Sequence, residues 1–86
     1  MSDDAFQAAA TRVKGLKKSP SNDELLSLYA LYKQGSSGDC TGKAPSRLKL
    51  KEHAKHKAWS KLSGMGKGDA QSKYVALVDD LVGRLG

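Results

Sequence analysis

The chain has 86 residues, 38% hydrophobic and 28% charged, a globular composition that fits one domain spanning residues 1–86. So small a domain cannot close a large cavity around a bulky ligand; a groove or a pocket between helices is the most it can offer. The net charge of +6 attracts anions, whether nucleic acid, anionic membranes or phosphorylated metabolites.

Taken in order, Phe6, Ala9, Ala10, Val13 and Leu16 recur at helical spacing and predict an amphipathic helix, with Asp3 and Asp4 near its positive end. Gly15 and the Lys17–Pro20 run end it. Ser21-Asn22-Asp23-Glu24 has the Ser-x-x-Glu form of a capping box and starts a second helix over Glu24–Gln34. Gly35 to Asp39 is rich in glycine and serine and is expected to stop it. Between Gly35 and Lys51 lies a loop of about 16 residues, long for a compact domain, that Leu48 and Leu50 could pin to the body. A third helix is predicted over Glu52–Leu62, with Lys55, Ala58, Trp59 and Leu62 on one face. After a glycine-rich turn, Gly66 serves as N-cap of a fourth helix, and Asp69 lies in its first turn. Its stripe is Ala70, Tyr74, Leu77, Val78, Leu81 and Leu85. The fold class expected is all-α, a four-helix bundle with a long loop between helices 2 and 3.

The second helix carries the most information. Leu25, Leu28, Tyr29, Tyr32 and Lys33 share one side, with Leu26 and Ala30 beside them. Soluble helices ordinarily place lysine opposite the apolar stripe. Here the stripe ends in phenol hydroxyls and an ammonium, which suits a ligand with a flat ring, a phosphate and an apolar part. The alternative is a core helix whose tyrosines and lysine snorkel to water at the rim. The same pairing of cation and aromatic recurs at Lys55 and Trp59, one turn apart. Lysines can hold phosphates while aromatic faces stack a base.

Enzyme chemistry finds little support. His53 and His56 stand at i, i+3, but no third metal ligand is evident and lysines surround them, so neither a metal site nor a catalytic site is expected. Cys40 has no histidine near it in sequence to activate its thiol. It is the single cysteine, which rules out an internal disulfide and fits a reducing compartment. The glycines of Gly64–Gly68 lack the ending of a phosphate loop. A small basic module for nucleic acid or anionic membranes is the alternative function, but it would show more arginine than the scattered Arg12, Arg47 and Arg84. The first residues lack the form of a secretory signal, and no run approaches the ~18 apolar residues of a membrane span, so the cytoplasm is expected.

Tyr29-x-x-Tyr32-Lys33-Gln34, Gly38-Asp39, Pro45 and Lys55-x-x-Ala58-Trp59 together resemble the acyl-CoA-binding protein family. Phe6, Leu16, Pro20-Ser21 and Tyr74 fall in register, so the resemblance spans nearly the whole chain. It implies a non-catalytic cytosolic carrier of medium- to long-chain fatty acyl-CoA esters. Such a carrier has no cofactor and no nucleic-acid partner. It is a monomer that makes at most transient contact with membranes or acyl-CoA-using enzymes. It further implies that Lys14, Tyr29, Tyr32, Lys33, Lys55 and Tyr74 hold the nucleotide end. Leu25, Leu26 and Leu28 would line the groove for the acyl chain, with Ala30, Leu31 and His56 as further candidates. The chain departs from the family pattern at His56, where a large aromatic is usual, and at Gly35, Lys49, Gly66 and Gly68.

Overall fold

The computed structural model describes residues 2–40 and 50–86. Pro45, Leu48 and Lys49 lie outside the described residues. Four helices are present: α1 (Ser2–Arg12), α2 (Asn22–Ser37), α3 (Leu50–Ser60) and α4 (Lys67–Leu85). A single 3-10 turn, Val13–Gly15, follows α1. There is no strand among the described residues.

Helix α4 is the hub and packs against both α1 and α2, whereas α3 packs against α2. The predicted stripes explain this. Phe6 and Ala9 of α1, Leu28 of α2, and Tyr74, Val78 and Leu81 of α4 form one buried cluster. Burying a large apolar side chain is worth ~1.5–3 kcal/mol, so this cluster supplies most of the hydrophobic drive. Helix α3 contributes no buried residue. The α2–α3 seam is therefore only half-buried on its α3 side, and the site lies along it.

The capping box forms as the sequence predicts. The Ser21 hydroxyl accepts from the Glu24 N–H at 3.2 Å, and the Ser21 N–H donates to Glu24 Oε1 at 2.9 Å. Glu24 is also paired with Arg84 near the end of α4, and Arg84 with Asp80. The Arg84 hydrogen bond and then the Ser21 N–H hold the Glu24 carboxyl below its ordinary pKa. At the other end of α4 the cap is Gly66, again as expected, with Asp69 in the first turn.

Several boundaries differ from expectation; α2 starts at Asn22 rather than Glu24, and α3 at Leu50 rather than Glu52. Helix α2 does not stop at Gly35 but runs to Ser37. Gly35 is buried because α4 crosses there: a Cβ on it would lie 2.9 Å from Gln71 Cγ and 3.1 Å from Phe6 Cζ. Gln71 Nε2 donates to the Gly35 carbonyl at 2.9 Å, so close packing rather than chain reversal accounts for this glycine. The turn comes at Gly38, whose φ of 84° and ψ of −150° suit glycine almost alone. Helix α3 ends at Ser60, because Leu62 and Ser63 bond back three residues, to Trp59 and Ser60, and tighten the chain into turns. Leu50 does not pin the loop to the body; it opens α3 with 75% of its surface exposed.

Candidate functional site

Tyr29 and Lys33 stand at i, i+4 on α2, and Lys55 and Trp59 at i, i+4 on α3. Each pair lies on one helix face, and the seam brings the two faces together. The contacts are reciprocal. The Lys55 ammonium lies over the Tyr29 ring, 5.3 Å from its centroid. The Lys33 ammonium lies over the Trp59 ring at 5.5 Å. Two cations thus rest on two aromatic faces at the mouth of the seam. Each contact is worth only ~0.5–1 kcal/mol at an exposed position, so an anion can recruit either ammonium at small cost.

Trp59 is anchored as well as stacked. Its indole N–H donates to the Gly38 carbonyl at 2.9 Å, fixing the end of α2 to α3. The next residue, Asp39, accepts from the Gly64 N–H at 2.9 Å and from Gln34 Nε2 at 2.8 Å. These two bonds, the Gly64 one foremost, lower the Asp39 pKa from its ordinary value. Gln34 is fully buried, and its amide also donates to the Met65 carbonyl at 2.7 Å. The segment around Gly38 and Asp39 is therefore tied to both α3 and the turn before α4.

Tyr32 and Tyr74 face inward. Phe6 stacks on Tyr32 with centroids 5.2 Å apart and meets Tyr74 edge-on at 5.2 Å; the two tyrosines are 5.8 Å apart. Tyr74 is 4% exposed, and burial, with Tyr32 adding to it, pushes its phenol above the ordinary value. It belongs to the core shared by α1, α2 and α4. Lys14 lies exposed in the 3-10 turn and has no ion-pair partner among the described residues.

A groove of about 480 Å³ opens beside the Lys55–Tyr29 contact, between Asn22, Leu25 and Leu26 of α2 and Leu50, Lys51, Ala54 and Lys55 of α3. Leu25 and Leu50, the two exposed large hydrophobics among the described residues, both line it. Of the three leucines expected at an acyl groove, Leu25 and Leu26 line this groove. Leu28 does not, since it turns into the core beside Phe6 and Tyr74. Ala30 and Leu31 face a second groove of about 530 Å³ across the same seam. His56 is not beside the groove floor but against Cys40: Nε2 lies 3.3 Å from Sγ. The expectation that Cys40 has no histidine near it holds along the sequence and fails in space. No sequence signal links two residues on opposite sides of a long loop.

No group of three or more histidine, cysteine or acidic side chains is placed to hold a metal ion among the described residues. No helix among them is long and apolar enough to cross a membrane.

The chain and its four-helix fold have counterparts among known proteins. The protein-family model for acyl CoA binding protein matches residues 3–78. Acyl-CoA-binding protein homolog 1 of Caenorhabditis elegans is 54% identical over 82 residues, 95% of each chain. The acyl-CoA-binding protein of Dictyostelium discoideum is 53% identical over 88% of this chain and 90% of its own. Among solved structures, acyl-CoA-binding protein 2 of Oryza sativa superposes with a TM-score of 0.92 at 32% identity, covering 96% of this chain and 90% of that one. The yeast acyl coenzyme A binding protein superposes with a TM-score of 0.75 at 42% identity, over 93% of both chains. These matches give no support to the alternative of a basic nucleic-acid or membrane-surface module. The match over 3–78 takes in all of α2 and α3 and the crossed lysine–aromatic pairs between them, and the chain belongs to the acyl-CoA-binding protein family.

Proposed function

We propose that this chain binds medium- to long-chain fatty acyl-CoA esters as a non-catalytic carrier, one ligand per 86-residue unit. The observation that carries this reading is the Lys55 ammonium over Tyr29 at the edge of an apolar groove, with a second cation, Lys33 over Trp59, between the same two helices. Coenzyme A supplies phosphates for the ammoniums and a flat adenine for the rings. The acyl chain lies along Leu25, Leu26 and Ala54, and each buried methylene adds ~0.8 kcal/mol. Lys14 adds a further cation toward the phosphates. Tyr74 and Tyr32 pack against Phe6 and hold α2 in place. The carrier works as a monomer in the cytoplasm, needs no cofactor, and meets membranes and acyl-CoA-using enzymes only transiently.

Titration calorimetry with palmitoyl-CoA, free CoA and palmitate tests this. Palmitoyl-CoA binds at micromolar concentration or below, free CoA much more weakly, and palmitate not at all. Equal affinity for palmitoyl-CoA and free CoA would remove the groove from the reading. Equal affinity for palmitate would remove the cations.

A further inference from the structure

The seam between α2 and α3 has a second side. The groove of about 530 Å³ there is lined by Leu26, Ala30 and Leu31 of α2 and by Ala54, Ala58 and Leu62 of α3 and the turn after it. Leu31 is two positions from both Tyr29 and Lys33. Lys57, which also lines the groove, is two positions from both Lys55 and Trp59. At 3.6 residues per turn, two positions is a rotation of roughly 200°. The groove therefore opens away from the lysine–aromatic contacts.

Its charges are sorted along its length. Lys57, Lys61 and Lys73 line it, all three exposed and without an ion-pair partner among the described residues. The remaining charged residue in the lining is Asp23. Helices α2 and α3 run parallel, since Tyr29 meets Lys55 and Lys33 meets Trp59. Helix α4 runs antiparallel to α2, since Gly35 meets Gln71 and Glu24 meets Arg84. Lys57 in the last turn of α3, Lys61 just beyond it and Lys73 near the start of α4 thus gather toward the C-terminal end of α2. Asp23, in the first turn of α2, stands at the other end.

Three ammoniums at one end of an apolar trough complement a head group with more than one negative charge. A phosphate monoester carries about −1.5 to −2 charges at pH 7 and offers three strong acceptor oxygens. A carboxylate carries a single charge and two oxygens, a weaker match. No aromatic ring among the described residues lines the groove, so it lacks the platform that an adenine uses. Its volume is that of a site for one small ligand. Asp23 repels a phosphate from the far end and so sets the ligand's direction. We infer that this groove is a second lipid site, separate from the acyl-CoA groove, that holds a single-chain lipid phosphate, its monoester among Lys57, Lys61 and Lys73 and its chain along Ala30 and Ala58 toward Leu26. The two head groups lie on opposite sides of the seam, so both ligands bind at once.

The test is calorimetric titration of the full chain, saturated with palmitoyl-CoA, with oleoyl lysophosphatidate below its micellar concentration. Oleate and glycerol phosphate serve as the chain and the head group alone. Lysophosphatidate binds one per chain at micromolar concentration, and neither fragment binds at that concentration. Lys57→Gln with Lys61→Gln weakens lysophosphatidate roughly 100-fold through two lost charge-assisted contacts and leaves palmitoyl-CoA affinity unchanged. Lys17→Gln with Lys18→Gln removes the same charge from exposed positions elsewhere and changes neither affinity. Circular dichroism shows the same helix content in both variants. Equal losses in the two double variants would reduce the effect to general attraction and overturn the site. Displacement of palmitoyl-CoA would place the lipid in the first groove and overturn it as well. Oleate binding as tightly as lysophosphatidate would overturn the phosphate contact. Binding only to phosphatidylcholine vesicles that carry lysophosphatidate would make this face a membrane-docking surface and overturn a single-lipid site. No binding in any form would overturn the inference and leave the acyl-CoA groove untouched.

Discussion

Replacing Lys55 with alanine separates the charge at the groove mouth from the apolar surface beside it. In the free protein Lys55 is exposed, and its chief contact is the Tyr29 ring at 5.3 Å. Losing an exposed cation–π contact costs ~0.5–1 kcal/mol, partly offset by removing one positive charge from a chain of net charge +6. Folding stability and helix content should therefore change little. A charge-assisted hydrogen bond to phosphate is worth ~1.5–3 kcal/mol. At ~1.4 kcal/mol per tenfold, Lys55→Ala should weaken palmitoyl-CoA roughly ten- to a hundredfold. Because the phosphates belong to CoA, free CoA should weaken by the same factor. Lys55→Met keeps the aliphatic stem along the groove and removes only the charge; it should lose nearly as much. Calorimetric titration of both variants with both ligands, with circular dichroism as a control on folding, measures this. Wild-type affinity in Lys55→Ala would refute the phosphate contact. A loss confined to palmitoyl-CoA and rescued by Lys55→Met would show that Lys55 acts through its stem.

Three further outcomes follow from other parts of the structure. Ser21→Ala removes the capping-box acceptor at the start of α2; it should cost ~1 kcal/mol and lower the thermal midpoint by about 4–8 °C. Gly38→Ala forces a side chain into φ 84°, ψ −150°, at ~1–3 kcal/mol, and should shift the urea midpoint down while loosening the Trp59 anchor, seen as a change in tryptophan fluorescence. Asp39 and Glu24 both have folded pKa values below their ordinary 3.8 and 4.5, so the unfolded chain binds more protons. Their contribution is complete above those ordinary values and is lost as pH falls through the folded ones. Urea unfolding between pH 6 and pH 3 should show that loss, and it should be smaller in Asp39→Asn.

Much of this molecule is written in short-range patterns. The capping box at Ser21, the N-cap at Gly66 and the stripes of α1 and α4 depend on residues three or four apart. The helix period alone puts such residues on one face. For the same reason Tyr29 with Lys33, and Lys55 with Trp59, are legible as paired cations and aromatics. What the sequence leaves open is which neighbour each face meets. Leu25, Leu26 and Leu28 lie within four residues, yet the first two line the groove and Leu28 enters the core. A 100° step per residue separates them, but only the positions of α3 and α4 decide which side is wet. Gly35 reads as a helix stop; the crossing of α4, with Gln71 and Phe6 against its α-carbon, makes it part of a helix instead. Tyr32 and Tyr74 are 42 positions apart in the numbering, yet they meet each other and Phe6 of a third helix in one aromatic cluster. Cys40 and His56 meet because the Trp59–Gly38 bond draws the end of α2 onto α3. Local sequence determined the helices and the chemistry each face carries; the packing of the helices decided which of those groups touch, because contact across elements depends on where whole helices lie and no local period encodes that.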